Sequence, residues 1–444
     1  MWAGTLWHTR ERLPGCGERV GGGLKGGEVR LTGLEAAPLS WRHRDTWRPL
    51  GRLSGVLFCV FLATGMVGAL VPLRVIDVTH DYTRLATIAT VYAAVGVAGG
   101  YGWGWLADRV GRRAPFVIGG LAGLALAYLG YWVASSFVAL LVVRVVEGAA
   151  LAAYNVGSVA LIGDYVAERA DRNRLLGAYR TFGSLAFGIT MLTSGTIADA
   201  LGPLVPFLCS AGFAALGLLL ALGLREAPAP AARSGGAAAP VAATPDQRAK
   251  ARVASSLMAS LLVGTFAWHL TMTAVYSVWP NYLRSVGYPR AAITRLWALA
   301  SLSEVPFMLV TGYIADRVGR RQLLSLAMAV IGCVFLGYLW VPHLPWIAVV
   351  QVVRALGYAS FLTASLAMTV EASTFEHRGR VSGLVNTVGA VGDISGAGLG
   401  GSLVKAISFA GLLWAGSLAS FVGAALVPAA GLWPRLIARV RRRG

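Results

Sequence analysis

The sequence predicts an all-α, polytopic membrane protein with about twelve transmembrane helices in two pseudo-symmetric six-helix bundles. Of the 444 residues, 56% are hydrophobic and 13% are charged, whereas a soluble globular protein has about 25% charged residues. Apolar stretches of about 20 residues recur from Leu53 onward, which is the length that crosses a bilayer. An arginine-rich segment also occurs once in each half. These observations exclude soluble enzymes, collagen-like and disordered chains, and disulfide scaffolds.

The apolar stretches fall into two groups of six, separated by a segment rich in Ala, Pro and Gly at 225–252. That segment predicts a flexible cytoplasmic linker between an N-terminal bundle, 50–224, and a C-terminal bundle, 253–432. The predicted spans of the first bundle are 50–73, 83–106, 114–134, 137–163, 174–199 and 203–224. Those of the second are 253–283, 291–315, 322–341, 345–371, 380–406 and 409–432.

The two ends of the chain are polar. Residues 1–49 contain no apolar run long enough for a signal peptide, so we expect a disordered cytoplasmic arm. The alternative is that the start of the reading frame was assigned too far upstream, so that this arm is not part of the protein. Residues 433–444 predict a basic cytoplasmic tail. The four Cys residues, at 16, 59, 209 and 333, show no metal-binding spacing and are expected to be small buried hydrophobes.

The basic residues indicate the orientation of the chain in the membrane. Thirty of the 39 Lys and Arg residues fall in alternate loops and at the ends of the chain, which the positive-inside rule assigns to the cytoplasm. Both termini are therefore expected in the cytoplasm of a plasma-membrane protein. The six on the other side are Arg74, Arg84, Arg284, Arg290, Arg295 and Lys405. Arg144, Arg180 and Arg354 lie within spans. Because the charges are dispersed, nucleic-acid binding is not expected, whereas contact with anionic lipids is.

An internal repeat supports the two-bundle prediction. Residues 104–113 read GWLADRVGRR and residues 312–321 read GYIADRVGRR, with eight of ten positions identical at an offset of 208 residues. A weaker echo places Arg174, Gly177 and Gly183 in register with Arg380, Gly383 and Gly389. In a membrane protein, such a repeat is typical of secondary transporters.

These segments resemble the loop motif G-x-x-x-D-R-x-G-R-[KR] of the major facilitator superfamily, and the resemblance extends over residues 50–432. The motif is met by Gly104, Asp108, Arg109, Gly111, Arg112 and Arg113, and again by Gly312, Asp316, Arg317, Gly319, Arg320 and Arg321. The resemblance implies a charge latch that favours one face of the transport cycle. Each Asp is expected to pair with a neighbouring Arg and lie against a helix N-terminus. The alternative is that these charges only fix topology and anchor the loop.

Four charged residues inside spans are predicted to handle protons. Arg144 and Glu147 resemble the family's R-x-x-[QG]-G motif, and Glu147 lies three residues from Arg144, where a salt bridge can form. This pair could instead be purely structural. Glu304 and Asp393 each lie about 13 residues inside a span, at about 20 Å depth, and the alternative for them is a hydrogen bond at a helix contact. Arg354 is taken as the counterpart of Arg144 without a nearby acid in sequence.

The family resemblance places helices one, four, seven and ten around a central cavity. The residues expected to bind solute are Tyr154, Asn155, Arg180, His269, Tyr276, Trp279, Tyr358 and Asn386. Aromatic walls with a few amides suit an aromatic or amphipathic organic solute. Interfacial anchoring is the alternative for Trp279, and a satisfied helix contact is the alternative for His269.

Together the patterns predict a secondary active transporter that moves a small organic solute by alternating access, driven by protons and without a cofactor or metal. The stretch from Trp297 to Pro306, with Tyr282 and Gly287 before it, resembles the branch of proton-linked phenylpropionate and nucleoside symporters. A drug or metabolite exporter using proton antiport is the alternative, although the antiporter motif G-P-x-x-G-G is missing from the fifth span. A receptor or enzyme on the same fold is less expected, since no hydrolase, Walker or metal motif occurs. Expected partners are the solute and membrane lipids, with a monomer as the functional unit.

Overall fold

A computed structural model describes residues 43–166, 172–226, 245–340, 343–372 and 378–440, and these residues form α-helices without strands. The first half has seven helices: α1 His43–Val67, α2 Leu70–Thr79, α3 Tyr82–Val110, α4 Ala114–Val133, α5 Phe137–Val166, α6 Arg172–Leu201 and α7 Val205–Ala221. The second half has six: α8 Pro245–Tyr276, α9 Trp279–Ser285, α10 Arg290–Val318, α11 Arg320–Trp340, α12 Leu344–Glu371 and α13 Arg378–Val440.

The number of spans agrees with the prediction. Ten helical stretches of the described residues are long and apolar enough to cross a membrane, and one of them, 381–430, covers both arms of α13. The arms meet at Ser408, where φ is 75° and the helical path breaks. With α7 as a shorter apolar helix, the twelve predicted spans are all present. This confirms the predicted fold class.

Two segments differ from their predicted boundaries. α1 begins at His43, inside the predicted arm, and α8 begins at Pro245, inside the predicted linker. Proline suits the first turn of a helix because the first N–H groups have no intrahelical partner. The rest of the arm and linker, and residues 441–444, lie outside the described residues. Of the described cysteines, Cys59 is buried as predicted, but Cys333 is exposed.

The first and seventh spans are each broken into two helices, which the sequence interpretation missed. Pro72 follows the break between α1 and α2, and Pro280 follows the break between α8 and α9. A proline cannot donate to the carbonyl four residues earlier, and its ring clashes with that carbonyl, so α1 stops at Val67 and α8 at Tyr276. The two prolines are 208 residues apart. The repeat therefore includes the helix breaks.

The bundle has two ends that matter for the site. We call the end with residues 107–113, 222–226 and 316–321 the linker face, and the end with residues 77–84, 199–204, 284–295 and 405–409 the opposite face. Within the first half α4 packs on α5 and α7, and within the second half α8 packs on α13. The halves meet where α3 packs on α13 and α6 packs on α10.

Close packing of α4 on α5 gives a stability prediction. A Cβ at Gly120 would lie 2.6 Å from the backbone nitrogen of Tyr154, whereas nothing lies within 4 Å of a Cβ at Gly119. Gly120→Ala should therefore push the helices apart and cost about 1–3 kcal/mol. Gly119→Ala, the matched control, should be neutral or slightly stabilising because alanine favours helix. Thermal unfolding of both purified variants in detergent checks this; equal melting temperatures would contradict the packing.

Candidate functional site

A cavity of about 330 Å³ lies within the first half of the chain. Its wall is mostly apolar, with polar groups from α1, α3 and α5. The lining residues are Val60, Phe61, Thr64, Val67, Gly68, Val71, Tyr92, Arg144, Glu147, Leu151, Asn155 and Phe187. The cavity volume is at the lower end of the range for small-molecule pockets.

Arg144 and Glu147 form a closed ion pair on the wall of this cavity. The Arg144 Nη1 lies 2.7 Å from the Glu147 Oε2, and the Tyr131 hydroxyl donates to the same oxygen at 2.7 Å. The guanidinium also lies over the Tyr92 ring, 3.7 Å from its centroid. Glu147 is 4% exposed. The pair predicted from the three-residue spacing is therefore present, with two tyrosines that the sequence interpretation did not include.

A second ion pair lies in the second half. The Arg354 Nη2 is 3.4 Å from the Glu304 Oε1, so Arg354 has an acid beside it in the structure although none lies near it in sequence. Glu304 lies on a different helix, α10, and 50 residues from Arg354 in the chain, so their contact leaves no local pattern in the sequence. Arg354 also lies over the Tyr276 ring, and the Tyr276 hydroxyl is 2.9 Å from that of Tyr338. Glu304, midway along α10, therefore has a cationic partner.

The third site in the spans is centred on Asp393, midway along the first arm of α13. Its Oδ2 lies 3.1 Å from the His269 Nδ1, and the Thr273 hydroxyl donates to its Oδ1 at 2.5 Å. The side chains of His269 and Asp393 are 33% and 38% exposed. This is greater exposure than that of Glu147 or Glu304. His269 and Asp393, predicted separately as solute contact and proton carrier, thus form one cluster.

Matching contacts in the two halves show how these sites are related. A Cβ at Gly130 would meet Val143, and a Cβ at Gly337 would meet Val350; both members of the second pair follow those of the first by 207 residues. In the same register, Tyr131 corresponds to Tyr338, Arg144 to Gln351, and Glu147 to Arg354. Arg354 is therefore the counterpart of Glu147 and not of Arg144, which corrects the sequence interpretation.

The first motif loop is held at the linker face by two carboxylates. The Arg113 Nη1 lies 2.9 Å from the Asp108 Oδ1, as predicted. The helix N-terminus of α4, however, is capped by Glu226, which accepts from the Arg113 and Ala114 backbone nitrogens at 2.8–3.0 Å. Asp108 is bonded to Arg113, the N-cap residue of α4, and the sequence interpretation did not include Glu226. Glu226 gave no signal because it lies 112 residues further along the chain.

The second motif loop is held differently. Arg320 pairs with Glu371 at the end of α12, and the Arg321 Nη2 donates to the Ser256 hydroxyl at 2.7 Å. Arg317 lies over the Tyr313 ring, as Arg109 lies over the Trp105 ring in the first loop. Asp316 and Arg112 are exposed.

The glycines of the motif divide into two kinds. Gly111 and Gly319 end α3 and α10 with φ of 68° and 95°, a region that favours glycine. Both glycines therefore permit the tight turn that follows their helix. Gly104 and Gly312 lie inside the helices, and nothing lies within 4 Å of a Cβ at either position.

Comparison with known proteins identifies the family. The profile described as Major Facilitator Superfamily matches residues 53–344 and 261–439. The chain belongs to this superfamily, and it is a membrane transporter. A bacterial homolog of the human lysosomal transporter Spinster, in an inward-facing, unoccupied conformation, has a TM-score of 0.68 and 16% identity, covering 88% of this chain and 96% of that one. None of the curated protein sequences compared with the chain matches it significantly.

Two further solved transporters share the fold. The nucleoside transporter NupG has a TM-score of 0.68 and 16% identity, over 86% of this chain and 98% of its own. A peptide transporter POT variant in complex with alafosfalin has a TM-score of 0.66 and 15% identity, over 86% and 94%.

Apart from His269, which lies in the Asp393 cluster, the predicted solute-binding residues of this superfamily member divide into three groups. Asn155 lines the cavity and is exposed; Asn386 is also exposed, and Tyr358 lies beside Trp268. Tyr154, Tyr276 and Trp279 are at most 8% exposed and do not line the cavity in this conformation. The side chain of Arg180 lies outside the described residues.

Trp279 fits neither prediction made for it. Its ring packs against Tyr276, Trp297 and Tyr338, and it is 1% exposed. The alternative of an interfacial anchor is therefore wrong, because the indole lies inside the bundle.

Ion pairs join the two halves of this transporter at the opposite face. Asp77 of the first half pairs with Arg284 and, at 3.4 Å, with Arg290. Arg290 also lies 3.8 Å from Asp199. We call Asp77, Asp199, Arg284 and Arg290 the opposite-face gate. These pairs connect helices of different halves at that face.

A second contact lies beside the gate. The Lys405 ammonium of the second half lies 3.2 Å from the Asp81 Oδ1 of the first half. The backbone N–H of Thr83 and the Lys405 ammonium lower the pKa of Asp81. Because the pKa of Asp81 is lowered, its carboxylate stays ionised to a lower pH than a free aspartate, and its contact with Lys405 weakens as the pH falls through that lowered pKa.

The gate gives a conformational prediction. Arg290→Gln removes the cation that serves both aspartates, so the opposite face should open more often. Thr294 is fully buried, and its hydroxyl accepts from the Gly195 backbone nitrogen of the other half, which makes Thr294→Cys a reporter of opening. In a variant without native cysteines, Arg290→Gln should raise the rate of maleimide labelling about three- to tenfold, as expected for partly exposed pairs.

Arg84→Gln is the matched control for this measurement. Arg84 lies at the same face, but its guanidinium is over the Phe137 ring of its own half. Labelling that rises equally in both variants, or in neither, would show that Arg290 does not hold the halves together.

Proposed function

We propose that the protein is a proton-driven symporter of a small organic solute in the plasma membrane, with its linker face in the cytoplasm. The observation that carries this proposal is the Asp393 cluster. A carboxylate midway along a transmembrane helix, 38% exposed and paired with a histidine, is a group that can take up and release a proton within the membrane. Ionisable residues in such positions are functional by default because burying them is costly.

Glu304 is the second proton site in this proposal. Its charge is balanced by Arg354 in the observed state. Protonation of Glu304 would leave Arg354 without a counter-charge, and an unpaired buried cation is strongly unfavourable. The arginine would therefore have to find a new partner, which couples the arrival of a proton to a rearrangement of α10 against α12.

The gate supports alternating access as the transport mechanism. The ion pairs close the opposite face, and the fold is similar to that of an inward-facing Spinster homolog. In the proposed cycle the gate opens to admit proton and solute, closes behind them, and the linker face then releases both. The bias of basic residues toward the linker face supports a cytoplasmic position for it.

The motif loops act as latches in the same proposal. Asp108 is bound to Arg113 of its own loop in the observed state, and it forms no ion pair with the described residues of the second half. Gly104 and Gly312 leave open space on α3 and α10, which would admit a neighbouring helix when the linker face closes. We therefore propose that the latches engage only in the other state of the cycle.

Neutralising the two carboxylates tests proton coupling. In proteoliposomes with an imposed proton gradient, radiolabelled uridine and 3-phenylpropionate serve as probes, chosen from the symporter branch that the sequence resembles. Glu304→Gln and Asp393→Asn should each reduce accumulation to the level of the bath, because the carboxylate can no longer exchange a proton. Asp164→Asn, which removes an acid near the linker-face end of α5, is the control and should accumulate solute normally.

Normal accumulation in both carboxylate variants would show that these acids are structural. Wild-type accumulation that persists with a protonophore would rule out proton coupling.

A further inference from the structure

We infer that the first-half cavity binds an uncharged solute that carries an apolar ring and a polar edge with adjacent hydrogen-bond donor and acceptor groups, such as a carboxamide or ring lactam. This inference rests on the proposed transport function and narrows its substrate class. Three features of the cavity carry it: the neutralised ion pair, the free amide of Asn155, and the apolar wall.

The two charged side chains in the cavity wall, Arg144 and Glu147, neutralise each other. Glu147 accepts from both Arg144 and Tyr131 through one oxygen, each at 2.7 Å, and Arg144 lies over the Tyr92 ring. The pair as a whole is neutral, so an anionic or a cationic solute would bring an uncompensated charge into the cavity, which is costly in a buried site. The wall therefore disfavours both kinds of ion.

Asn155 supplies the polar recognition group. It lies on α5 two turns beyond Glu147, it is exposed, and it lines the cavity. Within the described part of the chain, its side-chain amide makes no hydrogen bond. An asparagine amide offers a donor and an acceptor side by side. The complementary edge on a solute has the same two groups in reverse order, as a carboxamide or lactam does.

The remaining wall selects the body of the solute. Phe61 and Phe187 contribute rings, and Val67, Val71 and Leu151 contribute aliphatic surface. In pockets with apolar walls and a few polar groups, burial of the ligand's apolar part provides affinity, and the polar contacts fix the ligand's orientation. A volume of about 330 Å³ suits one ring system with a short side chain.

A charge-matched series of probes tests this inference. The probes are 3-phenylpropanamide, 3-phenylpropanoate and 3-phenylpropylamine, which share a ring and chain and differ in charge. Binding to the purified full-length protein is measured by isothermal titration and thermal shift at pH 7. The amide should bind most tightly. Asn155→Ala should weaken amide binding about three- to tenfold, as expected for the loss of a hydrogen bond.

The Glu147→Gln variant gives an independent test. It removes the charge that neutralises Arg144, so the cavity should gain affinity for the anion. The ratio of carboxylate to amide affinity should rise about tenfold or more, as expected for a hydrogen bond to a charged group. Gln322→Ala, which removes an exposed amide at the linker face, is the control and should bind all three probes as the wild type does.

Tighter binding of the carboxylate or the amine by the wild type would overturn the inference, as would binding of none of the probes. Amide binding that is unaffected by Asn155→Ala would also overturn the inference. The Asn155→Ala test does not depend on Glu147→Gln, so it remains decisive if the Glu147→Gln variant does not fold. These outcomes concern the solute alone. Gradient-driven accumulation of a charged probe would contradict the inference while leaving proton-coupled transport supported.

Discussion

A charge buried among transmembrane helices needs a partner within hydrogen-bonding distance, because neither water nor lipid can neutralise it there. Three pairs in the described spans meet this requirement: Arg144 with Glu147, Arg354 with Glu304, and His269 with Asp393. The second and third pairs join different helices, whereas the first lies within α5 and meets α4 through the Tyr131 hydroxyl. The cavity wall, the contact of α10 with α12, and the contact of α8 with α13 all include one of these pairs, so the arrangement of the interior depends on them.

Span length and charge bias were sufficient to predict the fold. Twenty-residue apolar stretches and a repeated loop identified the twelve helices to within a few residues at most ends. The two helix breaks were also predictable from the sequence, since Pro72 and Pro280 lie 208 residues apart, but the sequence interpretation did not include them. The partners of Arg354 and of the α4 N-terminus could not be predicted. They depend on which helix faces lie together, and residues 50 or 112 positions away carry no local signal.

The two halves share one scaffold but place charge differently on it. Tyr131 and Tyr338 are equivalent, yet the first reaches a carboxylate on the next helix and the second reaches Gln351 and Tyr276. The first half keeps both charges of its pair on α5, where they neutralise each other at short range. The second half divides its pair between α10 and α12. A pair on one helix moves as a unit, whereas a pair between helices responds to their relative motion.

The basic residues of the opposite face have a role that the topology argument alone did not give them. The positive-inside rule was applied only to their small number, yet Arg284, Arg290 and Lys405 each bind an aspartate of the other half. An exposed ion pair contributes little to stability. Such weak contacts are suited to a gate, because a transporter must separate its halves in every cycle. The Arg144–Glu147 and Arg354–Glu304 pairs each lie within one half, and their side chains are at most 17% exposed. The pairs of the opposite face join the halves, and their side chains are 23–60% exposed. Pairs that join the halves must break when the halves separate, whereas pairs within one half need not.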